Sequence, residues 1–358
     1  MIMTYIYCSH CGYKNKWGNI FCENCGQKIA YPHTNKSATY SKKPHDSVID
    51  SATKTINSWT GENEKVQINL SSFFSQIWKR HTEDQAEEIF IAGTKSTTPS
   101  LSEISSRPVQ PWLYTRVLAF LIISAALLGL LCIEFNNNVI LALEITVCFS
   151  VPISLTVFFF EVNVFKNISF YTVIKIMVIG GIFSLIVTMC IYTITGSGDI
   201  SFIGSFIIGF VEETGKILVG SYFISQLKLN HIFNGMLVGG AIGAGFAAFE
   251  NVQYATNLQS TIMVPIIRSL CSFGTHSIWC AITVSALVLA KGNKPLTWDN
   301  IANHKFFNFY FLVILLHTLW DWSLPFEEIK YIILICIAWL ILFVLIHSGL
   351  REVKQLQM

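Results

Sequence analysis

Six charged residues and two histidines stand inside stretches that are otherwise apolar. Gly209-Phe210-Val211-Glu212-Glu213-Thr214-Gly215-Lys216 puts two acids and a lysine in one such run, and Gly245-Phe246-Ala247-Ala248-Phe249-Glu250-Asn251 closes a second. Arg268 and His276 interrupt a third, and His317-Thr318-Leu319-Trp320-Asp321 ends a fourth. On a helix, Glu212 and Lys216 are i, i+4, Glu213 and Lys216 are i, i+3, and His317 and Asp321 are i, i+4, so each set shares a face. Glu212 and Glu213 point about 100° apart, so one can face a cavity while the other is held by the lysine or a neighbouring helix. A carboxylate can take a proton from water that attacks a carbonyl, and a histidine paired with an acid can steady the oxyanion. That chemistry is peptide hydrolysis, with or without a metal. Glu212, Glu213, Glu250 and Asp321 carry −4 against +2 from Lys216 and Arg268. The remaining −2 suits one divalent cation or two shared protons equally. Neither G-x-S-x-G nor H-E-x-x-H occurs, so serine-hydrolase and zincin chemistry have no support.

A second constellation opens the chain. Cys8-Ser9-His10-Cys11 and Cys22-Glu23-Asn24-Cys25 form C-x2-C, ten residues, C-x2-C, each pair followed by a glycine suited to a tight knuckle (Gly12 and Gly26). Four thiolates at this spacing suit a closed, structural zinc site of the zinc-ribbon kind. A reducing cytosol argues against two disulfides. The other six cysteines, at 132, 148, 190, 271, 280 and 336, lie in apolar runs and read as small hydrophobes.

The elements that must position these residues follow from composition. Only 13% of the 358 residues are charged and 52% are hydrophobic, where a soluble domain carries about 25% charge, so neither a disordered chain nor an ordinary soluble enzyme fits. Residues 1–110 hold 12 Lys and Arg with 10 Asp and Glu, which leaves 12 and 12 for the other 248 residues. The chain is therefore an all-α polytopic membrane protein with a soluble-like N-terminal third. A net charge of +2 gives no reason to expect nucleic acid as a partner. Apolar runs near the 20 or so residues of a span fall at roughly 112–133, 139–160, 170–194, 200–224, 231–254, 262–290, 306–322 and 329–347, about eight transmembrane helices. The run at 262–290 is long enough to tilt. Lys166, Lys228, Lys291, Lys294, Lys305, Arg351 and Lys354 fall on one side, with Arg107 and Arg116 at the first span. The connectors 134–138, 195–199, 251–261 and 323–328 contain no Lys or Arg. This asymmetry predicts cytoplasmic N- and C-termini in a plasma membrane, and the absence of an apolar run in the first 30 residues predicts no secretory signal. Counting rise per residue puts Glu212 and His276 near mid-bilayer and His317, Asp321, Glu250 and Asn251 in the outer half, around a cavity that opens outward. An ionised group at the bilayer centre costs about 2.5–3.5 kcal/mol even on lenient scales, so clustered charges imply that they face one another.

The domain plan is a zinc ribbon over 1–30, a flexible linker over 31–65, a short amphipathic helical segment and connector over 66–110, and the membrane domain over 111–350. Val66, Ile68, Leu70, Phe73, Phe74, Ile77 and Trp78 form an apolar stripe, and Thr82-Glu83-Asp84-Gln85 has the form of a capping box. This segment docks on the membrane surface or on the membrane domain, or it is a small helical adaptor with no lipid contact.

Taken in order, Glu-Glu-x-x-Lys, Gly-Phe-Ala-Ala-Phe-Glu-Asn, Arg268 with His276, and His-x-x-x-Asp resemble the motifs of the PrsW family. These are intramembrane proteases related to the CAAX prenyl endopeptidase superfamily. The resemblance covers roughly 110–350 and leaves the ribbon outside. It implies an intramembrane endopeptidase making site-1-type cuts in membrane-anchored proteins such as anti-sigma factors. It implies Glu212 as the residue that activates water, with Glu213 and Lys216 as its support. His317 and Asp321 fall on the oxyanion side, and Glu250 and His276 complete the pocket. Phe246-x-x-x-Glu250 departs from a Phe-x-x-x-His motif of the prenyl endopeptidases, which leaves Glu250 or His276 as the water's second partner. The family is often labelled metalloprotease, so a catalytic divalent metal joins the ribbon zinc among the cofactors to be tested. The implied partners are a membrane-anchored substrate, the lipid bilayer and a cytosolic protein bound through the ribbon. Two rivals use the same features. A proton- or cation-coupled transporter predicts inverted repeats, and none is visible in the sequence. A non-catalytic zinc-ribbon sensor conflicts with the intact acid, lysine and histidine motifs.

Overall fold

The computed structural model describes residues 5–8, 11–17, 19–29, 48–62, 64–66, 68–135, 138–256 and 261–358. The chain divides into two compact units, 1–46 and 47–358. Residues 31–47 of the expected linker lie outside the described residues.

In the first unit, β1 (Tyr5–Tyr7) pairs antiparallel with β2 (Lys14–Lys16), with Tyr5 opposite Lys16 and Tyr7 opposite Lys14. Gly12 and Gly26 adopt φ of 71° and 70°, the left-handed region that side chains avoid. Their N–H groups donate to the carbonyls of Cys8 and Cys22 at 2.9 Å, closing both knuckles.

The second unit is helical. It begins with α1 (Val48–Trp59), α2 (Leu70–Phe73) and α3 (Glu83–Phe90). The sequence reading assigned 48–59 to a flexible linker, and the structure instead forms α1 there. Ile49, Ala52, Ile56 and Trp59 recur at i, i+3, i+7 and i+10, which gives the segment one apolar face. Ile56 and Trp59 from that face pack on the main core. The capping box at Thr82 is present, with Gln85 returning the bond to the Thr82 N–H. Phe73 is buried against Phe158 and Phe343, so of the two docking modes, α2 uses the membrane domain.

The membrane domain comprises α4 (Leu113–Glu134), α5 (Ile140–Val162), α6 (Phe170–Lys175), a π-turn at Ile176–Gly180, α7 (Gly181–Thr195), α8 (Phe202–Gln226), α9 (Ile232–Ala255), α10 (Met263–Cys271), α11 (His276–Lys291), α12 (Trp298–Ala302), α13 (His304–Asp321) and α14 (Glu327–Gln357). Six helical segments among the described residues are long and apolar enough to cross a membrane: α4, α5, α6–α7, α9, α10–α11 and α14. The expectation of about eight is not reached on that measure. The difference is α8 and α13, where the charged and polar residues of the two strongest motifs lower the apolar content. The tilted span expected at 262–290 is instead broken by a turn at 272–275, which separates α10 from α11.

The core is built around α9, whose face toward α11 consists of small residues. A Cβ on Gly243 would overlap the carbonyl of His276, and one on Gly245 would overlap the carbonyl of Met177 in the π-turn. Close backbone contact of this kind is how helices pack without a hydrophobic driving force in lipid. At the start of α4, the buried Glu161 carboxylate of α5 accepts the N–H groups of Trp112, Leu113 and Tyr114 at 2.9 Å each, satisfying donors that a helix start leaves open.

Candidate active site

Four helices bring all seven sequence-predicted residues together. α8 supplies Glu212, Glu213 and Lys216, α9 supplies Glu250, α11 supplies His276 at its first position, and α13 supplies His317 and Asp321. α10 adds Arg268. The turn before α11 is what places His276 here, at the first position of that helix.

Lys216 is the hub. Its fully buried ammonium lies 2.8 Å from Glu213 Oε1, 3.3 Å from Glu212 Oε2 and 2.9 Å from His276 Nδ1, over the Phe246 ring at 4.0 Å. An ammonium only donates, so His276 accepts at Nδ1 and carries its proton on Nε2, which faces Glu250 Oε2 at 3.0 Å. Glu213 Oε1 also lies 3.0 Å from His317 Nδ1, which therefore donates to it. The bare Nε2 of His317 then points between Asp321 Oδ2 at 3.3 Å and Glu212 Oε2 at 3.8 Å. The two imidazoles are thus held in opposite tautomers by their partners.

The pairing also localises the net −2. Lys216 offsets Glu213, and Arg268 Nη2, 2.8 Å from Glu250 Oε2, offsets that acid. The surplus is left on Glu212 and Asp321, on either side of the His317 nitrogen. Asp321 Oδ2 is buried and makes no hydrogen bond. A cavity of about 480 Å³ reaches this centre, with Glu212, Phe246 and Glu250 at its base and Leu185, Met189, Tyr192, Ile208 and Tyr254 on its walls. Glu212 reaches it, whereas Glu213 is completely enclosed.

Glu212, His276 and His317 offer one carboxylate oxygen and two ring nitrogens within 4.8 Å of one another, the His2Glu set of hydrolytic zinc, beside the Asp321 acceptor. A metal held by His276 requires either the Lys216 ammonium to leave Nδ1 or the Nε2 proton to leave its contact with Glu250.

The sequence reading left Arg268 without a role. The structure has it bridging Glu250, Asn251 Oδ1 at 3.1 Å and the Tyr254 ring at 3.7 Å. Its charge inside an apolar run was the available signal. Tyr192 and Tyr254 gave none, because tyrosines are ordinary near span ends.

In the ribbon, the four thiols come within 4.8 Å of one another, with Sγ atoms 3.7 Å apart for Cys8–Cys25 and 3.6 Å for Cys11–Cys22. Desolvation opposes ionisation of Cys22, but N–H groups of Cys25 and Asn24 and the Asn15 amide pull its thiol down to about 6. The Gln27 N–H favours the Cys25 thiolate, yet the neighbouring thiols and burial outweigh it and push Cys25 up to about 12. Four thiolates can coexist here only around a cation.

Apolar helices that enclose an acid, imidazole and ammonium centre open to a cavity define an intramembrane hydrolase. Residues 139–347 match the model of the PrsW family intramembrane metalloprotease, and the chain belongs to that family. The match covers the helices from α5 into α14 and leaves out the ribbon and α1–α4. No curated protein and no solved structure matches the chain.

Proposed function

We propose that the protein cuts membrane-anchored proteins at a site-1-type position by water that Glu212 activates. One observation carries this reading: of the two adjacent acids, only Glu212 opens to the cavity while also lying beside His317 Nε2. Glu212 takes a proton from water as the hydroxide oxygen bonds to the peptide carbonyl carbon. The Lys216 ammonium, positioned by the His276 ring that Glu250 and Arg268 fix, offsets the charge that develops. His317, oriented by Glu213, relays the proton between Glu212 and Asp321 toward the leaving nitrogen. Glu212, His276 and His317 would hold a divalent metal, which when bound supplies Lewis acidity to the same centre.

The topology rests on the sequence asymmetries, and the substrate class on what the family resemblance implies. Cytoplasmic N- and C-termini in the plasma membrane follow from the basic connectors, with α8 and α13 embedded alongside the six apolar segments. An anti-sigma factor or similar regulator is the substrate class. The ribbon metal is a structural zinc, since a tetrahedron with Zn–S near 2.3 Å has edges of about 3.8 Å, close to the observed thiol spacings. The ribbon, over 1–30, recruits a cytosolic protein, and 111–350 is the protease domain.

The test compares membrane-protein fragments in cells carrying wild-type protein or Glu212→Ala. Fragments that depend on the wild type are expected to vanish. An unchanged fragment pattern together with a lost ion or solute flux would put a transporter in place of the protease.

A further inference from the structure

The loop between α2 and α3 is tied to the first turn of α4. Arg116 Nη2 donates to the carbonyls of Ile77 and Lys79, at 2.9 Å each. Arg116, Phe120, Ile123 and Leu127 fall at i, i+4, i+7 and i+11 and so share one face of α4. Phe120, Ile123 and Leu127 are 69%, 61% and 57% exposed, so among the described residues nothing covers this face. On a membrane-spanning helix, that face meets lipid. Arg116 therefore marks the headgroup end of a lipid-facing stripe, and it holds the loop at that level.

The side chains on the loop suit that position. Trp78 is 91% exposed, with Lys79 and Arg80 exposed beside it. The loop is also braced from behind. The His81 ring stacks on Trp112 at 3.7 Å, and its Nε2 lies 3.0 Å from the Gln76 carbonyl. An indole left uncovered by protein is stabilised where acyl chains meet headgroups, with its ring in apolar surroundings and its N–H wet. Lysine and arginine next to it match the phosphodiester.

We propose that the Trp78-Lys79-Arg80 loop, held by Arg116, is a phospholipid-headgroup site. The indole is seated at the glycerol level and the two cations lie on phosphates of the same leaflet. The loop gives the bundle a membrane anchor outside its spanning helices. Glu83, Asp84, Glu87 and Glu88 of α3 are exposed nearby. The segment from 79 to 88 therefore sums to −2, and the site reads the phosphate that every phospholipid carries rather than a negatively charged leaflet.

The experiment uses the full chain in vesicles of phosphatidylcholine brominated either high or low on the acyl chain. The emission of Trp78 is taken as wild type minus Trp78→Phe. Bromines near the headgroup are expected to quench this emission about twofold more than those near the chain end, as for an interfacial ring, with aqueous acrylamide excluded. The double variant Lys79→Gln/Arg80→Gln is expected to raise acrylamide access to Trp78. Quenching by acrylamide and by neither brominated lipid would overturn the proposal and leave the loop to water or a protein partner. Equal quenching by both lipids would overturn it too, since the ring would then lie among the chains. An unchanged acrylamide response in the double variant would remove the cations from the site.

Discussion

Glu212 and Glu213 are chemically identical neighbours with different surroundings, and the difference assigns their jobs. Glu213 is enclosed and receives both the Lys216 ammonium and the His317 Nδ1 proton on one oxygen. Glu212 touches the same lysine at a longer distance and lines the cavity. Substitution at the two positions should therefore fail differently. Glu212→Gln should lower cleavage by about 10²–10⁴-fold, the usual worth of a positioned general base, with little change in thermal unfolding. Glu213→Gln should lower stability by about 3–5 kcal/mol, because it leaves a buried ammonium short of its counter-charge. Lys216→Met should do the same from the other side. Since the two changes remove one interaction, the double variant should lose less than the sum of the singles. Unfolding curves in detergent for the four proteins check this, and additive losses would mean that the pair is not the stabilising unit.

At the scale of elements, the long apolar runs made most helices legible, because a span must satisfy its own backbone and carries few polar residues. What stayed hidden depends on contacts distant in sequence. The break at 272–275 lies within an apolar run, and only the packed structure shows that it sets His276 at the head of α11. Glu161 reads as one more acid at a span end until the open N–H groups of α4 arrive beside it. The stripe of α1 is short and diluted by polar residues, and its partners lie more than 240 positions away, among them Phe309, whose ring centroid is 5.4 Å from that of Trp59. The seven site residues were legible for the opposite reason: each is a polar group in an apolar run, which demands a partner. The glycine face of α9 links packing to chemistry. Gly243 lies against the His276 carbonyl, so Gly243→Ala must move either α9 or the histidine. Overpacking of this kind costs about 1–3 kcal/mol. Because His276 sits at the contact, cleavage should fall more than that stability loss explains. Rates measured well below the melting temperature separate the two effects, and activity equal to wild type there would show that the helix, not the histidine, gives way.

The whole molecule joins two units that hold themselves together by different means. Among the described residues, the buried apolar cluster of the ribbon consists of Ile6, Cys8, Cys22 and Ile29, far too little to offset the entropy of ordering its backbone at about 1–2 kcal/mol per residue. A bound metal must supply the rest, as in other small metal-dependent folds. The helical unit has its own extensive core, which runs from Phe73 through α5, α9 and α11 to Val353. Stripping the ribbon metal should therefore unfold residues 5–29 and leave the melting of the helical unit unchanged. A chelator alone cannot show this, because Glu212, His276 and His317 form a second donor set in the same chain. Cys8→Ser/Cys11→Ser separates the two sites by removing half of the ribbon ligands without touching the membrane centre. In this variant Cys22 and Cys25 should become reactive to a water-soluble thiol reagent, while cleavage of a membrane-anchored substrate that lacks ribbon contacts should persist. Chelator sensitivity of the remaining cleavage then reports on the membrane site alone. Loss of cleavage with the helical unit still folded would mean instead that the ribbon takes part in the reaction cycle.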